Sequence, residues 1–331
     1  MAALVETMAY AYRGTNADIP WHGFGTQCHP DTPPADFLKK AGLDWKVVLR
    51  PSFITFKGPS DEYPRTIATG DQALVRETDG KVLTNVSGTW FPVQNSEAFD
   101  FFNEFVAAGD MTMETGGSLR DGKMVWAMAK VSESFEVFGH DRVDSYMLFS
   151  NPHEYGKGID IRFTPVRVVC NNTLTLALAT KGDLQIKLSH RKKFDPEMVK
   201  EALGIAHERL VEYRDMAKLL GSKKAEKESV VEYFTRIFPH TSRDKATTEM
   251  SKVGAQVMET IETQPGNEFA RGSWWQVFNS VTYATDHTLG KTPENRLWNS
   301  WYGSERTRKI KAMQLATEYA ALSGDLEKVS A

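Results

Sequence analysis

Between Gly156 and Lys193 the chain carries eight basic residues, Lys157, Arg162, Arg167, Lys181, Lys187, Arg191, Lys192 and Lys193, against two acidic ones, Asp160 and Asp183. A local excess of this kind attracts a polyanion, and lysine and arginine are the groups that neutralise a phosphate backbone. Inside it, "RFTPVRVVCNNTLTLAL" (162–178) reads as a strand entering a helix. Ile161 and Phe163 alternate with Arg162 and Thr164 up to Pro165. Beyond it Val166, Val168 and Cys170 form the apolar set, a slip of one residue that a β-bulge would produce. The bulge would bring Arg162, Thr164 and Arg167 onto one exposed, basic face. Asn171 or Asn172 then caps a helix from about Thr173, and a helix N-terminus beside two arginines suits a phosphate. The competing reading leaves the asparagines as caps only and pairs the arginines with carboxylates such as Glu154 or Asp160. Cys170 faces inward with Val166 and Val168 and has no identifiable base, which makes it a core cysteine rather than a nucleophile.

Other groups that could do chemistry are weaker. His22, Cys28 and His29 lie close together in "PWHGFGTQCHP" but lack the paired ligand spacing of a zinc site, so no metal and no cofactor is expected. The "GFG" of this loop has no strand, glycine fingerprint and helix around it and is not a phosphate loop; Trp21 and Phe24 read as packing groups. Trp274, Trp275, Phe278, Val281 and Thr285 recur at helical spacing, as a core stripe does. In "ENRLWNSWYGSERTRKIKAM", Trp298, Trp301 and Tyr302 alternate with Arg296, Arg306, Arg308, Lys309 and Lys311. If exposed, those rings would stack on unpaired bases. His153 beside Glu154, and Asp286 beside His287, are neighbours that point apart rather than catalytic pairs.

The elements that must position these residues follow from patterning. Residues 1–30 read as irregular. "DTPPADFLKKAG" is a short helix capped by Thr32, with Pro33 in its first turn and Gly42 as its stop. From Trp45 to Thr89 come β-rich runs with a hairpin signal at Asp79-Gly80. "NSEAFDFFNEFVAAG" is a helix capped by Asn95, closed by Gly109, and buried along Phe99, Phe102, Phe105 and Val106. Antiparallel strands then turn at Asp121-Gly122 and Gly139-His140, and the basic strand follows over 158–170. Beyond it the chain is helical: from the Asp195-Pro196 cap to about Leu220, then near 225–237, 242–263, 273–287 and 304–323.

The fold class is therefore α+β, with a β-rich part over 1–190, a helical part over 191–331, and a boundary near His190–Asp195. With 331 residues, 41% of them apolar, the chain can bury a core without staples. Two cysteines rule out a disulfide framework, and neither a signal peptide nor a membrane-spanning run is evident, which points to a cytoplasmic protein. Residues 1–150 hold 13 basic and 20 acidic residues, so the remaining 27 and 23 give the second part a net charge of +4.

"IPWHGFG" (19–25), "RFTPVRVVCNNTL" (162–174), "LSHRKKF" (188–194) and the C-terminal "NSVTYATDH" and "ENRLWNSWYGSERTRKIKAMQLA" together resemble the phage/plasmid-like family, a domain-of-unknown-function family of phages and plasmids. That resemblance implies a mobile-element or bacterial cytoplasmic protein and no settled activity. The order helix, antiparallel strands, strand, helix is also similar to the core of Rad52-like single-strand annealing proteins, which implies a ring or filament with a basic groove for single-stranded DNA. The expected function is non-catalytic binding of single-stranded nucleic acid, DNA favoured, by a homo-oligomer engaged in annealing or recombination. Arg162, Arg167, Lys187, Arg191, Lys192 and Lys193 would meet phosphate, with Asn171 and Asn172 beside them. The alternatives are an enzyme of phage nucleic-acid metabolism using His22, His153 or Cys170, and a protein that acts on host machinery.

Overall fold

A computed structural model of the chain describes residues 5–11, 25–139, 141–167, 172–173, 185–191, 195, 211–241 and 246–325. The centre is an eight-stranded sheet in the order β10-β9-β8-β7-β6-β1-β2, with β11 also pairing along β9. Its strands are β1 (Val5–Ala11), β2 (Thr26–Cys28), β6 (Met111–Leu119), β7 (Met124–Glu136), β8 (Arg142–Pro152), β9 (Ile159–Arg167), β10 (Asn172–Thr173) and β11 (Gln185–Leu188). All pairings are antiparallel except β1 with β2. The meander from β6 to β9 follows the turns read from sequence: Asp121 and Gly122 take φ of 61° and 84°, and Gly139 takes 58°.

Side-chain alternation divides this sheet into two buried faces. Val125, Ala127, Ala129, Met147, Phe149, Ile161 and Phe163 face one core, which α1 (Pro34–Lys40), α2 (Asn95–Ala107) and a smaller sheet cover. Trp126, Met128, Tyr146 and Leu148 face the other, packed under Leu297 and Trp301 of α7 (Pro293–Trp301). A residue on either face is thus held by packing, as expected of a sheet enclosed between layers. A third core joins Val137 and Val143 of the β7–β8 hairpin to the C-terminal helices. Those helices are α3 (211–222), α4 (Lys227–Ile237), α5 (Lys252–Glu259), α6 (Trp274–Tyr283) and α8 (Ser304–Leu322). The protein is α+β, with antiparallel sheets in its N-terminal part and helices toward its C-terminus. Two of the three cores draw on residues from both sides of residue 190.

The smaller sheet has the order β3-β4-β5, from β3 (Val47–Phe56), β4 (Arg65–Arg76) and β5 (Val82–Val86), with Asp79 and Gly80 in its second turn. The helix α2 starts on a capping box between Gln94 and Glu97 rather than on Asn95. Asn95 is buried, and its amide donates to the Leu43 carbonyl at 3.1 Å, so tertiary contacts claim the expected cap. The N-cap of α1 is likewise Pro33, one residue after Thr32. Residues 1–30 are not irregular throughout, since β1 and β2 complete the sheet. Within the helix expected over 242–263, β13 (Ala246–Met250) instead pairs antiparallel with β12 (Pro239–Thr241), and helix begins only at Lys252. Trp274, Trp275, Phe278, Val281 and Thr285 are fully buried, as their helical spacing predicts.

Candidate nucleic-acid interface

The bulge expected at Pro165 is absent. The β8–β9 register runs without a shift from Ser150↔Asp160 through Ser145↔Pro165 to Val143↔Arg167, which removes the reason for grouping Arg162 with Arg167 on one face. Pro165 is tolerated because it lies between the stretches of β9 that β11 and β10 flank, where no described strand seeks its missing N–H. Asn172 and Thr173 form β10 opposite Arg167 and Val166, so their backbone groups serve the sheet edge, and the rest of the helix expected from about Thr173 lies outside the described residues. Asn171, Cys170, Lys192, Lys193 and His22 lie outside the described residues, as does the side chain of Arg167.

Arg162 is described, and it is not a free cation. Its guanidinium donates to both carboxylate oxygens of Asp160, through Nε at 3.1 Å, and its Nη1 donates to the Trp301 carbonyl at 2.8 Å. It also lies 5.6 Å from the centre of the Tyr302 ring. The pairing with Asp160 is the competing reading of the sequence. The aromatics of 298–302 close over the same place. Trp301 meets Trp126 edge to face, the Tyr302 hydroxyl lies 2.8 Å from Ser150 Oγ, and burial pushes the Tyr302 phenol well above its usual pKa. Trp298 is half-buried beneath Arg120 and Lys157, both held by Glu154 at 2.8 and 3.0 Å. Lys309 is fully buried, with its ammonium 2.9 Å from Asp286 Oδ1 and 2.6 Å from Ser300 Oγ. Trp301 and Tyr302 therefore hold α7 to the sheet, and Lys309 ties α8 to α7, so these groups serve packing rather than base stacking.

Cations with an open approach occur where β9 begins. A cleft of about 400 Å³ lies between the 87–90 turn, the β8–β9 loop and the end of β11. Trp90, Tyr155, Lys157, Lys187, His190 and Arg191 line it, with Ser87, Thr89 and Ser189 supplying hydroxyls. Tyr155 is 58% exposed, and its ring centre is 6.3 Å from that of the buried Trp90. Glu154 engages Lys157, whereas the exposed Lys187 and Arg191 have no carboxylate partner among the described residues.

Local geometry builds this cleft. Gly158 lets the chain pass close to β11, since a Cβ there would sit 2.6 Å from the Leu188 carbonyl oxygen. Gly156 has φ of 80°, the left-handed turn that presents Tyr155 outward. On the inner side His190 stacks on Trp90 with ring centres 4.3 Å apart. The Phe91 N–H donates to the His190 carbonyl at 2.7 Å, and His190 Nδ1 lies 3.2 Å from the Phe91 carbonyl oxygen, so Nδ1 carries the proton. Behind it His153 Nε2 is 2.9 Å from Asn95 Oδ1. Because the Asn95 amide donates elsewhere, His153 Nε2 carries a proton and is the donor. Burial, then the neighbouring His190, pushes its pKa down to about 3, and burial lowers that of His190 also. His153 is thus a sealed structural group, not a base in reach of the cleft.

Of the residues read from sequence as phosphate contacts, the cleft brings together Lys187 and Arg191, while Arg162 is closed off. Sequence reasoning missed Trp90 and Tyr155. The signal available for the second was "EYGKG", an aromatic directly before a lysine flanked by two glycines. Trp90 had none, because its partners come from distant segments. Cys28 is buried, and no cluster of three metal-ligating side chains occurs among the described residues. No described helix is long and apolar enough to cross a membrane.

Compared with known proteins, the chain matches the model of one family, described as a domain of unknown function (DUF932), over residues 82–319. That span is more than two thirds of the chain and contains the whole cleft. No protein of curated function and no solved structure matches.

Proposed function

We propose that this chain, which belongs to the DUF932 family, binds single-stranded nucleic acid, DNA in preference to RNA, in the cleft between Trp90 and Lys187. A base stacks on the exposed Tyr155, with Trp90 behind it, while Lys187 and Arg191 meet the flanking phosphates. The observation that carries this reading is the coincidence, in one cleft, of an exposed ring with two cations that have no carboxylate partner among the described residues. A ring offers a face to any unstacked base, and unpaired cations gain most from a phosphate, so the pair suits a single strand better than a duplex. The role is non-catalytic, in annealing or recombination for a mobile element, and the protein works in the bacterial cytoplasm as a homo-oligomer.

Titration of the full chain with fluorescent oligo(dT) over a range of salt concentrations tests it. Binding should weaken with salt, and replacing Lys187 and Arg191 together by alanine should flatten the logarithmic slope by about 0.7 per lost contact. Affinity should fall alike for different base sequences, since phosphate contacts carry no sequence information. Unchanged affinity and slope in that double variant would remove the cleft as the binding surface.

A further inference from the structure

The β3–β4 hairpin continues past the end of the small sheet. The strand β5 pairs with β4 only from Gln72 to Val75, whereas β3 and β4 remain paired through Phe53↔Ala68, Ile54↔Ile67, Thr55↔Thr66 and Phe56↔Arg65. The result is an arm, about residues 50–71, that is two strands wide. A register shift between Pro51 and Phe53 sets its direction, with the Thr69 hydroxyl donating to the Ser52 carbonyl at 3.1 Å, and Asp61 closes its tip by accepting from the Gly58 N–H at 2.8 Å.

Nothing described covers this arm. Pairing and alternation put Ile54, Phe56 and Ile67 on one face, at 52%, 46% and 41% exposure, with Phe53 at 58% on the other and Tyr63 at 72% in the tip loop. A two-stranded ribbon in water is marginal by itself, and an open apolar strand edge is a template for another strand. We propose that the arm is a dimerisation element, covered by the same arm of a second copy across a twofold axis. Three observations select that partner. The outer edge of β3 has no strand partner among the described residues, and the arm is itself a strand pair of the right length to supply one. The stripe Ile54, Phe56, Ile67 is its own complement, as an isologous contact requires. Arg50, Lys57 and Arg65 balance Asp61, Glu62 and Asp71, so two arms meet without net repulsion. A ribbon built to enter a nucleic-acid groove would be basic, and this one is neutral. Its length also matches one side of a standard interface, about 20–30 residues. The inference rests on the homo-oligomer part of the proposed function and gives it a surface; because the arm precedes the family-matched span and is separate from the cleft, its failure would leave the nucleic-acid site to be tested by oligonucleotide binding alone.

Sedimentation velocity on the full chain without nucleic acid tests it. The wild type should sediment as a dimer of the 37.2 kDa protomer. Ile54→Glu combined with Ile67→Glu should weaken the dimer by at least about tenfold in Kd, with an unchanged circular dichroism spectrum because both side chains are exposed in the protomer. Ile54→Cys should form a covalent dimer under mild oxidation that the wild type does not form. A wild type that stays monomeric at every concentration, a dimer that survives the double substitution, or an Ile54→Cys variant that does not cross-link would each overturn the proposal. So would a monomer whose arm instead binds phosphatidylcholine vesicles.

Discussion

Arg162 and Arg191 belong to the same basic run, and each has aromatic rings nearby, yet they end in opposite states. Around Arg162, α7 closes over the sheet and supplies a carbonyl, a carboxylate partner sits two residues away, and Tyr302 covers the guanidinium. Around Arg191, β11 has ended and the facing layer is a loop, so the side chain stays exposed at the rim of the cleft. The difference teaches that a basic residue's availability for a ligand is decided by how completely the second layer covers it. Where the layer is continuous the cation is consumed by structure; where it stops the cation remains in solvent.

The largest effect should come from breaking the closed region. The Arg162 and Asp160 side chains are 11% and 14% exposed, so Arg162→Ala leaves a largely buried carboxylate without its guanidinium. Removing one member of a buried pair costs about 3 kcal/mol or more, which urea denaturation would read as a lowered midpoint. Oligonucleotide affinity of the folded fraction should not change. A variant as stable as the wild type that has lost binding would invert the comparison between the two arginines.

The layer behind the cleft should respond next, through pH. His153 is neutral in the folded protein, with a pKa near 3 against an ordinary 6.5. Its folded value is depressed, so the unfolded chain takes up a proton first as pH falls. The stability it lends is complete above about pH 6.5 and is lost progressively down to about pH 3, by about 2 kcal/mol at pH 5, with His190 adding in the same direction. Denaturation midpoints measured between pH 7 and 5 would show the slope, and His153→Gln, which keeps a donor for Asn95, should flatten it. An unaltered slope in that variant would show that other groups carry it.

Tyr155→Ala should weaken oligonucleotide binding by about 1 kcal/mol or more, the loss expected for one stacked base. Since the ring is mostly in solvent, its removal should leave the melting curve in place. The smallest expected effect is on stability in the Lys187→Ala, Arg191→Ala protein: a change within about 0.5 kcal/mol, as for surface residues without partners. A much larger loss there would mean that these cations, like Arg162, belong to the structure.

Much of the architecture was legible because it rests on short-range rules. Alternation over 111–150 with Asp-Gly and Gly turns specified a meander, and helical spacing of Trp274, Trp275, Phe278 and Val281 specified a core helix. Asn95 shows where such rules end: it has the right residue type for a cap, but the carbonyls of Leu43 and Trp45 and the ring of His153 claim its side chain. The slip at Pro165 has the same lesson. Apolar residues on both sides of it suggested a shifted alternation, whereas a sheet buried on both faces accepts apolar residues at every position and needs no bulge.

The sequence by itself determined the β6–β9 meander, the helices α2 and α6 and the basic run, since each depends on the period and composition of neighbouring residues, whereas β1, β2, β10 and β13 were not read from it. Only the tertiary structure decided which cations stay open, that Trp90 and Tyr155 share a cleft with Lys187 and Arg191, and that β3 and β4 run on into solvent as an arm. Those outcomes depend on where one layer ends over another. Such edges are set by the packing of segments far apart in the chain, which no local pattern records.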